Sequence, residues 1–169
     1  MLQDLDKVLF HESTILARLD ELARDITREY QGKPLTVLAI LSGSLVFMAD
    51  LLRRIPLPLQ LACIQAASYH GGTRSGGSVR LGPLDAGMLD ARHVLMLDDI
   101  LDSGRTLSRV REHVWQSAAP LDVKSCVLLA KRKTRAAPFA SDYTAFAIED
   151  DFVVGYGLDF AERYRNLPC

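Results

Sequence analysis

Apolar runs alternate along the chain with stretches in which apolar residues recur at helical spacing. Over residues 13–30, Ile15, Leu16, Leu19, Leu22, Ala23 and Ile26 return every three or four positions with charges between them, which predicts an amphipathic helix. Ser13 is placed to cap it and Gly32 to stop it. Residues 35–41 are almost wholly apolar and rich in branched side chains, the pattern of a strand buried on both faces of a parallel sheet. Ser42-Gly43-Ser44 breaks this run. A second helical pattern, with Val46, Phe47, Ala49, Leu51 and Leu52, ends before Pro56 and Pro58. Residues 60–67 predict a second strand. Residues 93–97 predict a third, ended by Asp98-Asp99. A helix over 106–117 carries Leu107, Val110 and Val114 on one face, and residues 123–130 predict a fourth strand. Residues 131–142 are basic and then turn-like, and 146–148 and 152–154 predict two short strands. Strands alternating with helices predict an α/β fold around a mostly parallel sheet.

Residues 68–82 break the pattern. They hold Gly71, Gly72, Gly76, Gly77 and Gly82, two arginines and almost no large apolar side chain. Loops of that length inside a small domain are usually functional.

The 169 residues are enough for one domain with a sizeable core, and neither a repeat nor a linker divides them. Apolar residues make up 49% and charged residues 24%, which excludes a disordered or fibrous chain. Twenty basic against 21 acidic residues leave a net charge of −1, so no global basic field draws in nucleic acid. Cys63, Cys126 and Cys169 are odd in number and form no C-x-x-C, which disfavours a disulfide framework or zinc ribbon. Cys63 and Cys126 sit in apolar runs and read as small buried residues of a reduced, cytoplasmic protein. The N-terminus has no basic region followed by an apolar core, so no signal peptide is expected. No stretch approaches the ~18 apolar residues of a membrane helix.

Several motifs fail. Gly71 to Gly76 fits G-x-x-x-x-G, but Gly77-Ser78 follows instead of Lys-Ser/Thr, so it is no nucleotide P-loop. There is no G-x-G-x-x-G after a strand, no G-x-S-x-G and no H-E-x-x-H; His11-Glu12 lacks its second histidine.

The informative segment runs from Val94 to Leu107. A buried strand ends in Asp98 and Asp99; Asp102 follows, then Ser103, Gly104, Arg105 and Thr106, and a helix begins. In open α/β sheets ligands bind beyond the carboxyl ends of strands. A loop of small residues at a helix N-terminus offers free N–H groups and the positive end of the dipole, which suits a phosphate. Asp98 and Asp99 would repel that phosphate and suit neutral hydroxyls or a metal. The composite ligand is a sugar with adjacent hydroxyls and a phosphate at one end. Acidic residues that merely begin a turn, with Asp102 as a helix cap, are the bland alternative. The order of strand, carboxylate pair, third carboxylate, S-G-x-T and helix outweighs it.

The same segment resembles the signature of the type I phosphoribosyltransferases: two acidic residues after a strand, two apolar residues, Asp, Ser/Thr, Gly, any residue and Thr. Residues 98–106 fit throughout. Residues 151–159 and 164–168, with Lys131-Arg132, Ser68-Tyr69 and residues 47–51, are similar to the purine-salvage branch, the hypoxanthine-guanine phosphoribosyltransferases. The similarity runs from about residue 8 to the end.

This resemblance implies the family's fold, with a core over about 13–135, a small hood from about 1–12 and 136–169, and a mobile loop over about 68–82. It implies transfer of ribose 5-phosphate from phosphoribosyl pyrophosphate to N9 of a 6-oxopurine, hypoxanthine or guanine. Asp98 and Asp99 would meet the ribose hydroxyls. The backbone of 102–106, with the Ser103 and Thr106 hydroxyls, would hold the 5′-phosphate. Asp102 would face N7 as general base. Lys131 would donate to O6 and so reject 6-aminopurines, since a buried mismatch costs about 1–3 kcal/mol. Phe152 would stack on the base, and Val153 and Asp159 would present backbone groups to its edge. Asp159, with Asp98 and Asp99, would help hold Mg²⁺. Arg165 would neutralise pyrophosphate. Ser42-Gly43 would form the pyrophosphate loop, and Ser68 and Tyr69 would reach the pyrophosphate when the long loop closes and excludes water. Without the resemblance, Lys131 reads as part of a solvated basic loop and Phe152 as core.

Three positions depart from the family pattern. Ser42 stands where Lys or Arg is common, which removes a side-chain cation and leaves the backbone N–H groups. Asp98 is often Glu in this branch, and Glu149 stands where Pro is frequent. The resemblance also implies a homodimer or homotetramer, and neither nucleic acid nor membrane as partner. Two alternatives are a xanthine-preferring enzyme and a phosphoribosyl-pyrophosphate-sensing, nucleic-acid-binding regulator on the same fold. Such a regulator needs a basic face, and a pI near 6.4 speaks against one.

Overall fold

The computed structural model describes residues 5–68 and 79–169. Tyr69, the Ser68 side chain and Gly71, Gly72, Gly76 and Gly77 of the glycine-rich segment lie outside the described residues.

Helix α1 (Glu12–Tyr30) leads into β1 (Leu35–Leu41), α2 (Leu45–Leu52), β2 (Gln60–Ser68), β3 (Val79–Leu81), a short 3-10 helix (Ala86–Met88), β4 (His93–Leu101), α3 (Arg105–Ser117), β5 (Asp122–Lys131) and β6 (Tyr143–Ile148). The six strands form one sheet in the order β3-β2-β1-β4-β5-β6. All neighbours are parallel except β3, which runs antiparallel along β2 through Ala66↔Leu81 and Ser68↔Val79. This is the predicted α/β architecture.

The central strands are apolar on both faces because both faces are covered. Val37, Ala39, Leu95, Leu97 and Cys126 point to one side, where α1 and α2 supply Leu19, Leu22, Ile26, Phe47 and Leu51. Leu38, Ile40, Val94, Met96 and Val127 point to the other, against Leu107, Val110 and Val114 of α3. Each Val, Leu, Ile, Phe or Met among them contributes about 1.5–3 kcal/mol by leaving water. Arg18 of α1 ties the helix to the outer strand, donating to the carbonyls of Ala145 (2.9 Å) and Thr144 (3.0 Å). Among the described residues no helix is long and apolar enough to cross a membrane.

Five expectations change. Helix α1 begins at Glu12, because the His11 carbonyl already accepts from Thr14 and Ile15; Ser13 lies in the first turn and caps nothing. Gly32 does follow the helix, at φ 74°. Residues 79–81, read as loop, form β3, which is too short to carry a periodic signal. Strand β4 runs on through Asp98 and Asp99 to Leu101, because β5 continues the ladder beside it with Asp98↔Val127 and Ile100↔Leu129. Residues 152–154 form no strand, since no partner edge pairs with them; the chain there turns through an isolated Gly155↔Leu158 bridge. Cys63 is exposed, unlike buried Cys126, because it points away from Ala62 and Ile64 to a side of β2 left open.

Candidate active site

The connections from β1 and β4 leave in opposite directions. β1 passes through α2 to β2 on one side, and β4 passes through α3 to β5 on the other. Between two such neighbours the loops diverge and leave a crevice at the carboxyl ends of the strands. Ser42-Gly43-Ser44 lines one side and residues 98–106 the other.

Asp98 is buried, with 7% of its surface exposed, and accepts the Asp99 N–H at 3.1 Å. Burial, and then the adjacent Asp99 charge, push its carboxyl well above the ordinary range. Burial also raises Asp99, opposed by its bond to Asp98 and by the nearby Arg165 charge. Gly43 lies so close that a Cβ there would overlap the Asp99 carboxylate, and a Cβ on Gly157 would overlap the Gly43 carbonyl. The β1 loop is thus held between the Asp99 carboxylate at the end of β4 and the C-terminal segment, carboxylate on backbone on backbone. The Leu41-Ser42 peptide is cis, and buried Ser44 donates to the Ile40 carbonyl at 2.6 Å.

Gly104 caps α3 at φ 78°, a left-handed conformation that costs glycine little. The turn leaves the first N–H groups of α3 facing out of the helix, where a phosphate can take them. Residues 137–139 buttress the loop: Ala137 N–H donates to the Ser103 carbonyl at 3.0 Å, and a Cβ on Gly104 would come within 2.7 Å of the Ala137 oxygen.

Four charges gather at the end of β5. Lys131 and Lys133 donate to Asp150 Oδ1 at 3.0 and 2.8 Å. Lys133 also pairs with Asp102, and Lys131 Nζ lies 4.0 Å from the other Asp102 oxygen. The lysines hold the Asp150 carboxyl below its usual range, while Asp102 and then Asp150 raise Lys133.

The C-terminal segment closes the site. Arg165 donates to the Gly157 carbonyl at 2.7 Å and to Asp159 at 2.7 Å, and Asp159 also accepts the Glu162 N–H at 2.8 Å. Tyr156 donates to Asp50 of α2 at 2.6 Å, which fixes the segment to the core. Phe152 stands 73% exposed, edge-on to Phe160 with ring centres 5.7 Å apart. An apolar cavity of about 670 Å³ lies behind it, lined by residues including Phe10, Leu129, Phe146, Val153 and Leu158.

Comparison with known proteins gives the chain its family. A family model described as a phosphoribosyl transferase domain matches residues 8–161. The chain belongs to the phosphoribosyltransferase family. It is 42% identical over 165 residues to the hypoxanthine-guanine phosphoribosyltransferase of Lactococcus lactis, covering 97% of this chain and 88% of that one. It also matches, at 41% over 168 residues, the bifunctional protein TilS/HprT of Listeria innocua, and spans 26% of that protein's length. The crystal structure of a Staphylococcus aureus hypoxanthine phosphoribosyltransferase superposes with a TM-score of 0.92 at 40% identity, covering 99% of this chain and 91% of that one.

Within this phosphoribosyltransferase chain the fold brings most of the sequence-predicted residues to one crevice. Gly43, Asp98, Asp99, Asp102, Ser103, Gly104 and Thr106 share the strand ends. Lys131 reaches Asp102, and Asp159 and Arg165 meet on the C-terminal segment beside Gly157. Ser42 and Arg105 are exposed, and Val153 is half-buried. Lys133 and Asp150 escaped the sequence reading. A signal was present: the basic run 131–133 leaves β5 beside the acidic run 149–151 leaving β6, and Arg132 meets Glu149 at 3.0 Å.

Proposed function

We propose that the chain transfers the 5-phosphoribosyl group from phosphoribosyl pyrophosphate to N9 of hypoxanthine or guanine, giving IMP or GMP and pyrophosphate in cytoplasmic purine salvage. The observation that carries this is the acidic strand end of β4, turned by Gly104 into a phosphate loop at the topological switch, with Lys131 beside Asp102. The relatives' names point to the same chemistry.

In this reading the bond from C1′ to pyrophosphate breaks as the bond from C1′ to N9 forms. Asp98 and Asp99 orient the ribose through its hydroxyls. The N–H groups of 102–106, with the Ser103 and Thr106 hydroxyls, anchor the 5′-phosphate, and Arg105 contributes its backbone while its side chain stays in solvent. Asp102 faces N7 and holds a proton there, and its negative charge suits the positive charge that develops on the sugar. Lys131 donates to the 6-oxo group, Phe152 stacks on the ring, and Val153 and Asp159 offer backbone groups to the base edge. Ser42-Gly43, through backbone N–H groups, and Arg165 receive the pyrophosphate. Ser68 and Tyr69 belong to this part of the reading as well.

Asp159, with Asp98 and Asp99, would help hold Mg²⁺, a hard cation that takes one or two carboxylates and completes its shell with water and phosphate oxygens; among the described residues no three acidic, His or Cys side chains form a metal cluster, so substrate oxygens would supply most of that shell. The pair at 98–99, forced together in a buried place, would be relieved by a nearby dication. When bound, the ion would supply positive charge to the pyrophosphate.

Purified protein with phosphoribosyl pyrophosphate and Mg²⁺ is offered hypoxanthine, guanine, xanthine and adenine in turn, and nucleotide is assayed. Turnover of hypoxanthine or guanine but not adenine is expected; none with either refutes the proposal. Turnover confined to xanthine reassigns the base. A dimer or tetramer is expected by sedimentation of the same sample.

A further inference from the structure

Lys133 and Asp150 have no part in the reaction as described above, yet they complete a closed ring of charge around two residues that do. Asp150 serves Lys131 and Lys133 together; Lys133 serves Asp150 and Asp102 together; Lys131 stands near both carboxylates. Lys131 is the most enclosed of the four, its side chain 11% exposed against 54% for Asp150.

The Lys131 ammonium has three N–H donors, and it keeps one for a purine oxygen only if Asp150 and Asp102 do not draw it wholly onto themselves. A carboxylate with one cation holds it; a carboxylate already served by a second gives up the first at lower cost. Neighbouring cations cannot take that second place. Arg132 is engaged with Glu149, and Arg135 donates to the Lys131 carbonyl at 3.0 Å.

We propose that Lys133 is a positioning residue for base binding: by occupying Asp150 and Asp102 it leaves Lys131 free to donate to the 6-oxo group of the incoming purine. The inference rests on the function proposed above. It predicts a defect in base binding rather than in phosphoribosyl pyrophosphate binding, and one that removing the Asp150 charge cures.

The test compares wild type, Lys133→Met, Asp150→Asn and the double variant by steady-state kinetics, varying hypoxanthine and phosphoribosyl pyrophosphate separately. Lys133→Met is expected to raise the hypoxanthine KM about fivefold, the scale of one partly exposed ion pair, and to leave the phosphoribosyl pyrophosphate KM within about twofold. Adding Asp150→Asn is expected to bring the hypoxanthine KM back to within about twofold of wild type, because the nearer of the two competing carboxylates, at 3.0 Å from Lys131 against 4.0 Å for Asp102, is gone. An unchanged KM in Lys133→Met overturns the inference. So does a rise that Asp150→Asn leaves in place, since Lys133 then only shapes the loop. Thermal melts check folding, and Lys133→Gln carries the same test if the methionine variant does not fold. Wild type inactive on hypoxanthine and guanine overturns the functional reading itself, whereas an active wild type with an indifferent Lys133→Met overturns this inference alone.

Discussion

Replacing Gly104 by alanine sets two costs against each other that a second glycine separates. Gly104 and Gly32 have nearly the same backbone, φ 78° and 74°. A Cβ on Gly32 meets nothing within 4 Å, so Gly32→Ala pays only for the left-handed conformation, about 1–2 kcal/mol. A Cβ on Gly104 meets the Ala137 oxygen at 2.7 Å and the Phe139 Cβ at 3.1 Å. The first neighbour is backbone, tied to the same loop by the Ala137–Ser103 hydrogen bond, and cannot swing aside. Overpacking of that kind adds about 1–3 kcal/mol, so Gly104→Ala should cost about 2–5 kcal/mol in all. Equilibrium denaturation in urea measures both, and each kcal/mol lowers Tm by about 2–4 °C in a chain of this size. Because the clash pushes the proposed phosphate loop off its buttress, Gly104→Ala should also raise the phosphoribosyl pyrophosphate KM, and Gly32→Ala should not. Equal destabilisation by the two variants, or an unaltered KM in Gly104→Ala, would refute the reasoning.

Other outcomes follow from single contacts. Asp102→Asn removes the proposed proton acceptor while keeping the shape, so kcat should fall about 100-fold or more and both KM values much less; an unchanged kcat removes Asp102 from the chemistry. Phe152→Ala should cost well under about 1 kcal/mol of stability, since the ring is exposed, yet raise the hypoxanthine KM about tenfold through lost stacking. A stability loss with normal KM would make Phe152 a packing residue. Glu29 accepts from Lys124 and Tyr143, and the Lys124 bond first and the Tyr143 bond second hold its carboxyl below the ordinary range. A carboxyl lowered on folding stabilises above its unfolded pKa of about 4.3 and loses that contribution as pH falls through the folded value. Wild type should therefore exceed Glu29→Gln in stability by about 1 kcal/mol at pH 7 and converge with it toward pH 3; parallel curves would exclude the carboxylate.

Legibility differed from place to place for physical reasons. Strand β1 emerged at its full length because burial on both faces requires an unbroken apolar run. Strand β4 was cut short because polarity marks exposure in a sequence, whereas Asp98 stays in the ladder through backbone bonds to β5. Residues 152–154 looked like a strand from their apolar content, but a strand exists only where another edge pairs with it. Cys63 looked buried for the same reason, since a lone sequence does not say which side of β2 a helix covers.

The sequence alone determined the alternation of helices and strands, the acidic strand end and the small-residue turn after it, because each follows from local periodicity or local backbone chemistry. Its near-zero net charge concealed how the charges are placed. Tertiary structure decided that placement. It set Gly157 on Gly43 and Gly43 on Asp99, paired Arg165 with Asp159, and closed Lys131, Lys133, Asp102 and Asp150 into one ring. The contacting pairs among them are separated by up to 114 positions, as between Gly43 and Gly157, and no local pattern couples them. Only the packing of β1, β4, β5 and the C-terminal segment brings them within reach of one another.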